Sequence, residues 1–401
     1  MGLRIMFMAN APWATTGYGI QGKHLTPRLK GLGHEMAYFS FYGLQGGVLN
    51  LDGVTIYPMA HKLWGEDVLE GHMAHFKADV LLTLMDVWVT DWFGRKAKAN
   101  GWAWCPWMPV DQTPIPDVVV QRLDGAHTAL PYAKFGEDEL RQAGVQNVFY
   151  IPHGVNPDVF KPPTAEQRLD ARRMLGIPDD AFVIGMVAAN KGYPSRKAFP
   201  EQLLAFAKFK KHVPNAVLYL HTLAAPTTQG LDMVMLLQRC GLKLTEDVVF
   251  VDQYRYTLGL PEQYMGEVAY AAMDVLSLAS MGEGFGIPLI EAQACGVPVV
   301  TSHNTACTEL CYYGALVEKQ QPFWTPLGSW AMLPDIDEIA ERYLEVFAMT
   351  KQADHSERAA AVSRTIHELY SWDAIIENYW KPFLQGLEDE LHGRSDLQQT
   401  E

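Results

Sequence analysis

The chain has 401 residues, 48% of them hydrophobic and 19% charged, with a formal net charge of −14. That length exceeds one typical domain, and the apolar fraction can fill sizeable cores, so a disordered chain is excluded and two domains are expected. The acidic balance argues against a surface that holds nucleic acid by neutralising phosphates, although a local basic patch would survive it.

The opening "LRIMFMAN" reads as a strand. Its apolar stretch is too short for a signal peptide, and Met6 stands where N-myristoylation wants Ser or Thr. "GIQGKHLTPRLKGLG" reads as a helix with Gly33 near its end, and "EMAYFSFYG" as the next strand. "DVLLTLMDVW" and "WAWCPWMPV" are apolar runs of the length of buried parallel strands. "VFYIPHGVNPDVFKPP" joins strand, turn and prolines and marks a crossing into a second unit.

A second series follows. "AFVIGMVAAN", "AVLYLHT", "VVFVDQ", "DVLSLAS" and "VPVVTS" read as strands. Between them lie the helices "KAFPEQLLAFAKFKKHV", "LDMVMLLQRCG", "PEQYMGEVAYAA" and "IPLIEAQACG". The last has proline at its start and glycine at its stop. Such alternation predicts parallel sheets covered by helices on both faces, that is, an α/β chain of two Rossmann-like doubly wound domains facing across a cleft. The domains read as 1–155 and 156–371. A C-terminal helix, 372–392, crosses back to the first, and 393–401 reads as a disordered tail. No apolar run is long enough to span a bilayer. The five cysteines show no paired spacing, which suggests reduced thiols and a cytoplasmic location.

"TGYGIQG" carries the spacing G-x-G-x-x-G at Gly17, Gly19 and Gly22. A dinucleotide site needs the first glycine at the end of strand one and an acid ending strand two. Here "APWATT" intervenes, and "FSFYG" has no carboxylate. Two readings stay open: a glycine loop that packs a helix closely on a strand, or one whose backbone N–H groups approach a ligand phosphate or sugar.

The second half tips that reading toward a ligand. "MGEGFGIPLIEAQACGVPVV" puts Glu283 in a glycine loop and Glu291 in the helix that the loop opens. Gly284 and Gly286 let backbone approach a ligand, and the helix start carries partial positive charge suited to a diphosphate. Glu283 then stands beside whatever that phosphate carries, and Glu291 is placed to take ribose hydroxyls. Ordinary surface glutamates are the alternative, and the glycine pair with Pro288 weighs against it.

"EGFGIPLIEAQACGVPVV" resembles the donor-site motif of the family 4 retaining glycosyltransferases, the group 1 transferases of the GT-B fold. "IPHGVNPDVFKP" is similar to that family's interdomain segment, "GMVAANKGYPSRKAFPEQLLAFAKF" to its diphosphate-binding strand–loop–helix, and "SWDAIIENY" to its C-terminal helix. The resemblance implies that Glu283 contacts the donor sugar and Glu291 the ribose. It implies that Phe285, Gly286 and Ile287 line the donor. Lys197 occupies the family's lysine position, and Arg196 supplies the guanidinium that normally comes earlier; Ala189-Asn190 replaces the usual Gly-Arg. Where the family often has a histidine, this chain has Asp111. It accepts the acceptor's hydroxyl proton or binds a sugar hydroxyl, or else it caps a turn before the prolines. Gly17, Tyr18 and Gly19 would lie opposite the donor diphosphate.

The implied activity is transfer of a hexosyl unit from a nucleotide-diphosphate sugar to a hydroxyl, with retention, by a metal-independent front-face route. UDP-glucose is the default donor and GDP-mannose the alternative. No cofactor and no membrane span are expected, and the acceptor class stays open, with nucleic acid disfavoured by net charge. Rivals are a GT-B epimerase, a non-catalytic nucleotide-sugar binder and, behind them, an NAD-dependent oxidoreductase. Other signals are weaker. Trp88, Trp92, Trp102, Trp104 and Trp107 suit a core more than a sugar platform. His72 and His75 lack a third metal ligand. Asp335 and Asp337 read as an N-cap and a first-turn acid. His153 is either a hinge packing residue or a cleft residue.

Overall fold

A computed structural model of the protein describes residues 2–192, 194–225 and 229–398. It divides into two units. The first comprises Met1–Val110, Pro114–Gly154 and Trp372–Glu401, and the second Asp111–Thr113 and Val155–Ser371.

Among the described residues, the first unit is built on a seven-stranded sheet. Its strands are β1 (Arg4–Asn10), β2 (Glu35–Gln45), β3 (Leu49–Leu51), β4 (Val54–Met59), β5 (Val80–Leu84), β6 (Ala103–Met108) and β7 (Leu130–Pro131), in the order β3-β4-β2-β1-β5-β6-β7. All pairs are parallel except β3 with β4. The residues of β5 and β6 are buried throughout, as expected of parallel strands covered on both faces. Pro106, in β6, faces Thr83 on one side, and the pairing with β7 begins only at Trp107, so the missing N–H is not required there. The β3–β4 hairpin has no counterpart in the sequence reading. Its signal is Asp52-Gly53, both at positive φ (51° and 73°), the pair that a tight hairpin turn demands.

Glycines in the opening loop have packing reasons. The helix Gly17–Gly31 is capped by Thr16, whose side chain accepts from the Gly19 N–H at 3.1 Å. A Cβ on Gly19 would meet the Ala14 and Ala11 carbonyl oxygens at 2.4 and 2.7 Å. One on Gly22 would meet the Tyr38 hydroxyl at 2.2 Å and the Phe7 ring at 2.8 Å.

The C-terminal segment packs in this unit. Trp372 lies so close to Gly154 that a Cβ there would sit 2.5 Å from the indole, and Trp380 meets Trp107 edge-on. The final helix, Lys381–Gln398, continues through residues read as a disordered tail from 393. After Gly393, "RSDLQ" contains neither glycine nor proline, so it can prolong the helix to Gln398. Residues 399–401 lie outside the described residues.

Among the described residues, the second unit holds a six-stranded parallel sheet. Its strands are β8 (Phe182–Val187), β9 (Ala216–His221), β10 (Val248–Phe250), β11 (Val275–Leu278), β12 (Val299–Ser302) and β13 (Gly314–Val317), in the order β10-β9-β8-β11-β12-β13. Leaving out β3, both sheets have the same doubly wound order, 3-2-1-4-5-6. Asp274, just before β11, accepts from the Val183 N–H and pairs with Arg168 and Arg172, which fixes the β8–β11 register from below. A two-stranded hairpin, β14 (Gln320–Trp324) and β15 (Trp330–Pro334), completes the unit. Asp111–Thr113 lie inside the range read as the first domain, yet they belong here. The Thr113 N–H donates to the Trp330 carbonyl at 3.3 Å, and the Thr325 hydroxyl donates to Gln112 at 2.9 Å. No helix of the described residues is long and apolar enough to cross a membrane.

Gly22→Ala should lower stability by about 1–3 kcal/mol, because the helix must move off the sheet to admit a methyl group. Thermal melting checks this; a midpoint equal to wild type would contradict the close approach.

Candidate active site

In an open doubly wound sheet, ligands bind outside the carboxyl ends of the two strands where the winding reverses. In the second unit those strands are β8 and β11. The segments leaving them carry Arg196 and Lys197, and Glu283 through Gly286, respectively. The fold thus brings together two stretches almost ninety residues apart.

The cations sit on a tight turn. The Ala198 N–H donates to the Ser195 carbonyl at 2.9 Å, and Ala198 takes a left-handed conformation, φ 48°. The helix Phe199–Lys210 starts directly after it. The buried Gln202 side chain donates to the Lys197 carbonyl at 2.7 Å, while its oxygen accepts from Ser277 and from the Ala279 N–H. The Arg196 carbonyl accepts from the Met281 N–H at 2.8 Å. Both cation-bearing residues are therefore tied by their backbones to the strand and loop that lead to Glu283.

Glu283 is buried, and its carboxylate lies between the two cations. Lys197 Nζ is 2.5 Å from Oε1, and an Arg196 guanidinium nitrogen is 3.3 Å from Oε2. Arg196 also donates to the Gly282 carbonyl and lies 3.7 Å from the Asp111 carboxylate. Burial pushes the Glu283 carboxyl up, but the charges of Lys197 and Arg196 outweigh it and hold the group down at about 2. Burial lowers Lys197 against the pull of Glu283. Asp111 is raised by burial, with Arg196 opposing. Cations at a helix start oppose its dipole; here Glu283 is the anion that holds them.

The loop continues buried through Gly286. Gly286 has φ +100° and caps the helix Ile287–Ala294, a conformation that requires glycine. Phe285 is buried and meets Tyr370 edge-on; Gly284 is buried and Ile287 half-buried. Glu291 is buried away from the cations. It accepts from the Tyr270 hydroxyl at 2.7 Å, and Tyr270 ends the π-helical turn Met265–Tyr270. Burial pushes the Glu291 carboxyl up to about 7 despite that hydrogen bond. The two glutamates of the motif thus belong to separate networks linked by one loop and one helical turn.

Gly17, Tyr18 and Gly19 belong to the first unit, at the start of the helix after β1. There the Tyr18 hydroxyl shares a hydrogen bond with Tyr132, close to Asp86. His153 is buried in the same unit. Its Nδ1 lies 3.1 Å from the Gln21 side-chain oxygen, and its ring packs on Trp107 and Tyr132. Trp92, Trp104 and Trp107 are core residues, while Trp88 is exposed. His72 bonds to the Pro58 carbonyl and His75 to Tyr57. Asp335 caps the helix Ile336–Met349, and Asp337 pairs with Lys208. Among the described residues no three His, Cys, Asp or Glu side chains are grouped to hold a metal ion. Sequence reasoning missed Gln202, Tyr270 and Thr305, none of which lies in a recognisable spacing.

Residues 182–344 match the family model described as glycosyl transferases group 1. The chain is similar to the D-inositol 3-phosphate glycosyltransferase of Stackebrandtia nassauensis, 33% identical over 167 residues, 41% of this chain and 35% of that one. The enzyme of the same name from Corynebacterium jeikeium is 29% identical over 225 residues, 55% of this chain and 50% of that one. The matched stretch thus spans about a third to a half of these relatives. Among solved structures, sucrose-phosphate synthase from Thermosynechococcus elongatus superposes with a TM-score of 0.75 at 19% identity, covering 98% of this chain and 100% of that one. Anabaena HepE in complex with UDP and glucose gives 0.66 at 16% identity, covering 98% and 100%. At these identities the likeness establishes the fold, which is GT-B.

A carboxyl raised on folding binds its proton more tightly in the native state. Stability from Glu291 is therefore greatest below its ordinary 4.5 and is lost as pH rises through about 7, a difference on the order of 3 kcal/mol. Glu291→Gln keeps an acceptor for Tyr270 and cannot ionise. It should melt higher than wild type at pH 8, with the gap closing toward pH 4; a pH-independent gap would rule out a raised Glu291.

Proposed function

We propose that the chain, whose residues 182–344 match the group 1 glycosyltransferase family model, transfers a hexosyl unit from a nucleotide-diphosphate sugar to a hydroxyl acceptor, retaining anomeric configuration and using no metal. The observation that carries this reading is the convergence of Lys197, Arg196 and the Glu283 carboxylate at the carboxyl ends of β8 and β11.

A donor diphosphate has more charge than one carboxylate and takes the two cations. Glu283 then turns to the sugar. With its carboxyl held near 2 by the two cations before the donor binds, Glu283 is ionised when the donor arrives. It accepts hydrogen bonds from sugar hydroxyls. As the glycosidic bond breaks, charge builds on the leaving phosphate, and Lys197 and Arg196 stabilise it. The leaving phosphate oxygen receives the acceptor proton on the same face, which gives retention without a protein nucleophile. Asp111, 3.7 Å from Arg196, either steers that guanidinium or binds a sugar hydroxyl. Glu291 holds the ribose, with Tyr270 as its partner in the absence of donor. That HepE is solved with UDP and glucose supports UDP-glucose as the donor to try first, with GDP-mannose second.

Glu283→Ala should reduce transfer and donor hydrolysis on the order of 10²–10³-fold. It should bind UDP at least as tightly as wild type, because the cations lose their internal partner. A hydrolysis screen over UDP-, GDP- and ADP-sugars, followed by mass spectrometry of glycosylated acceptors, tests the activity. A thermal-shift series with UDP, GDP, ADP and NAD tests the ligand class. Stabilisation by NAD alone would favour an oxidoreductase, and UDP binding with no turnover would favour a sugar-nucleotide-binding protein. Full activity in Glu283→Ala would overturn the role given to that residue.

A further inference from the structure

Thr305 stands in a conformation that β-branched residues avoid. Its φ is 45°, left-handed, where a glycine would sit without strain. Of the non-glycine described residues at positive φ, only Ala198 and Thr305 adjoin the ion-paired cluster. Ala198 completes the turn that presents Lys197. Thr305 touches Glu283 itself.

The contact is a two-point grip on one residue's backbone. Thr305 Oγ1 accepts from the Glu283 N–H at 2.9 Å, and the Ala306 N–H reaches the Glu283 carbonyl at 3.4 Å. Asn304 extends the hold, donating to the Met281 carbonyl at 3.3 Å and to the Gln320 side chain at 2.7 Å. Between Met281 and Glu283, Gly282 has no space for a side chain, since a Cβ would fall 2.2 Å from the Asp111 carbonyl and 3.6 Å from the Thr305 methyl group. The strained turn at 304–306 is what aims the hydroxyl at the Glu283 amide. Strain of this kind persists where the surrounding structure needs the geometry it produces.

We propose that Thr305 is a positioning residue for Glu283, its hydroxyl fixing the Glu283 peptide so that the carboxylate swings between the cations and a donor sugar while its backbone stays in place. This rests on the reading that Glu283 acts on the donor. A serine would keep the hydroxyl and a valine the branched shape. A glycine would adopt the backbone freely but lose both.

The test measures kcat and KM for hydrolysis of the nucleotide sugar that wild type cleaves best, together with melting temperature, for Thr305→Ser, Thr305→Val and Thr305→Gly. Thr305→Ser should keep wild-type kcat. Thr305→Val and Thr305→Gly should each lose kcat on the order of 100-fold, with donor KM within about threefold of wild type. Thr305→Gly guards against a folding artefact, because it relieves the φ constraint and should melt at or above wild type. Wild-type kcat in Thr305→Gly or Thr305→Val would overturn the assignment, as would a loss of kcat in Thr305→Val that Thr305→Gly restores along with stability. Wild-type chain that binds UDP but cleaves no nucleotide sugar would overturn the reading of Glu283 beneath it, a result distinct from active enzyme indifferent to Thr305.

Discussion

A buried carboxylate held between a lysine and an arginine is the constraint around which the second unit is arranged. Removing ionised groups from water is costly, and a pair recovers that cost only when geometry is close and the remaining polar groups are satisfied. Taking away one partner of such a pair strands the other and costs about 3–5 kcal/mol. The surroundings of Glu283 meet the geometric demand. Gln202 holds the Lys197 carbonyl, Met281 holds the Arg196 carbonyl, and Thr305 holds the Glu283 amide. Gly282 has no side chain because there is no volume for one. Each is a backbone restraint, so the charged side chains alone are left to change partners.

That separation of fixed backbone from exchangeable charge suits the proposed chemistry. A site whose cations are already neutralised is stable without ligand. An incoming diphosphate exchanges one anion for a stronger one and frees the carboxylate at the moment a sugar arrives beside it. While the two cations hold it, the Glu283 carboxyl stays near 2, so the exchange starts from an ionised carboxylate. Glu291 behaves in the opposite way. It is buried and accepts from the Tyr270 hydroxyl, and burial carries its carboxyl up to about 7. Two carboxylates of one short motif thus shift in opposite directions, because cations outweigh burial at Glu283 and burial prevails at Glu291.

The two sheets share a strand order, yet their switch points differ in chemistry. In the second unit the segments leaving β8 and β11 bear the charged cluster. In the first, the segment leaving β1 carries glycines whose positions are set by packing. Gly19 lies against the Ala11 and Ala14 carbonyls and Gly22 against Tyr38. Two glycines of the G-x-G-x-x-G spacing, Gly19 and Gly22, are accounted for by how closely the helix Gly17–Gly31 packs.

The periodic apolar runs were enough to read the α/β class, the doubly wound halves and the glycine-flanked glutamates, because buried parallel strands and helix starts leave local signatures. The Asp52-Gly53 hairpin and the β14–β15 hairpin were equally local but escaped notice, being short and partly exposed. The continuation of the last helix past residue 393 was also missed. What no local pattern contains is which side chains meet. That Glu283 pairs with Lys197 and Arg196, that Tyr270 serves Glu291, that Asp111 sits with the second unit and that Thr305 grips the loop all depend on strand order and on turns far apart in the chain. Sequence by itself determined the elements and the residue types at the strand ends; tertiary structure alone decided their partners, because charge and hydrogen bonding act through space over a few ångströms and take no account of separation along the chain.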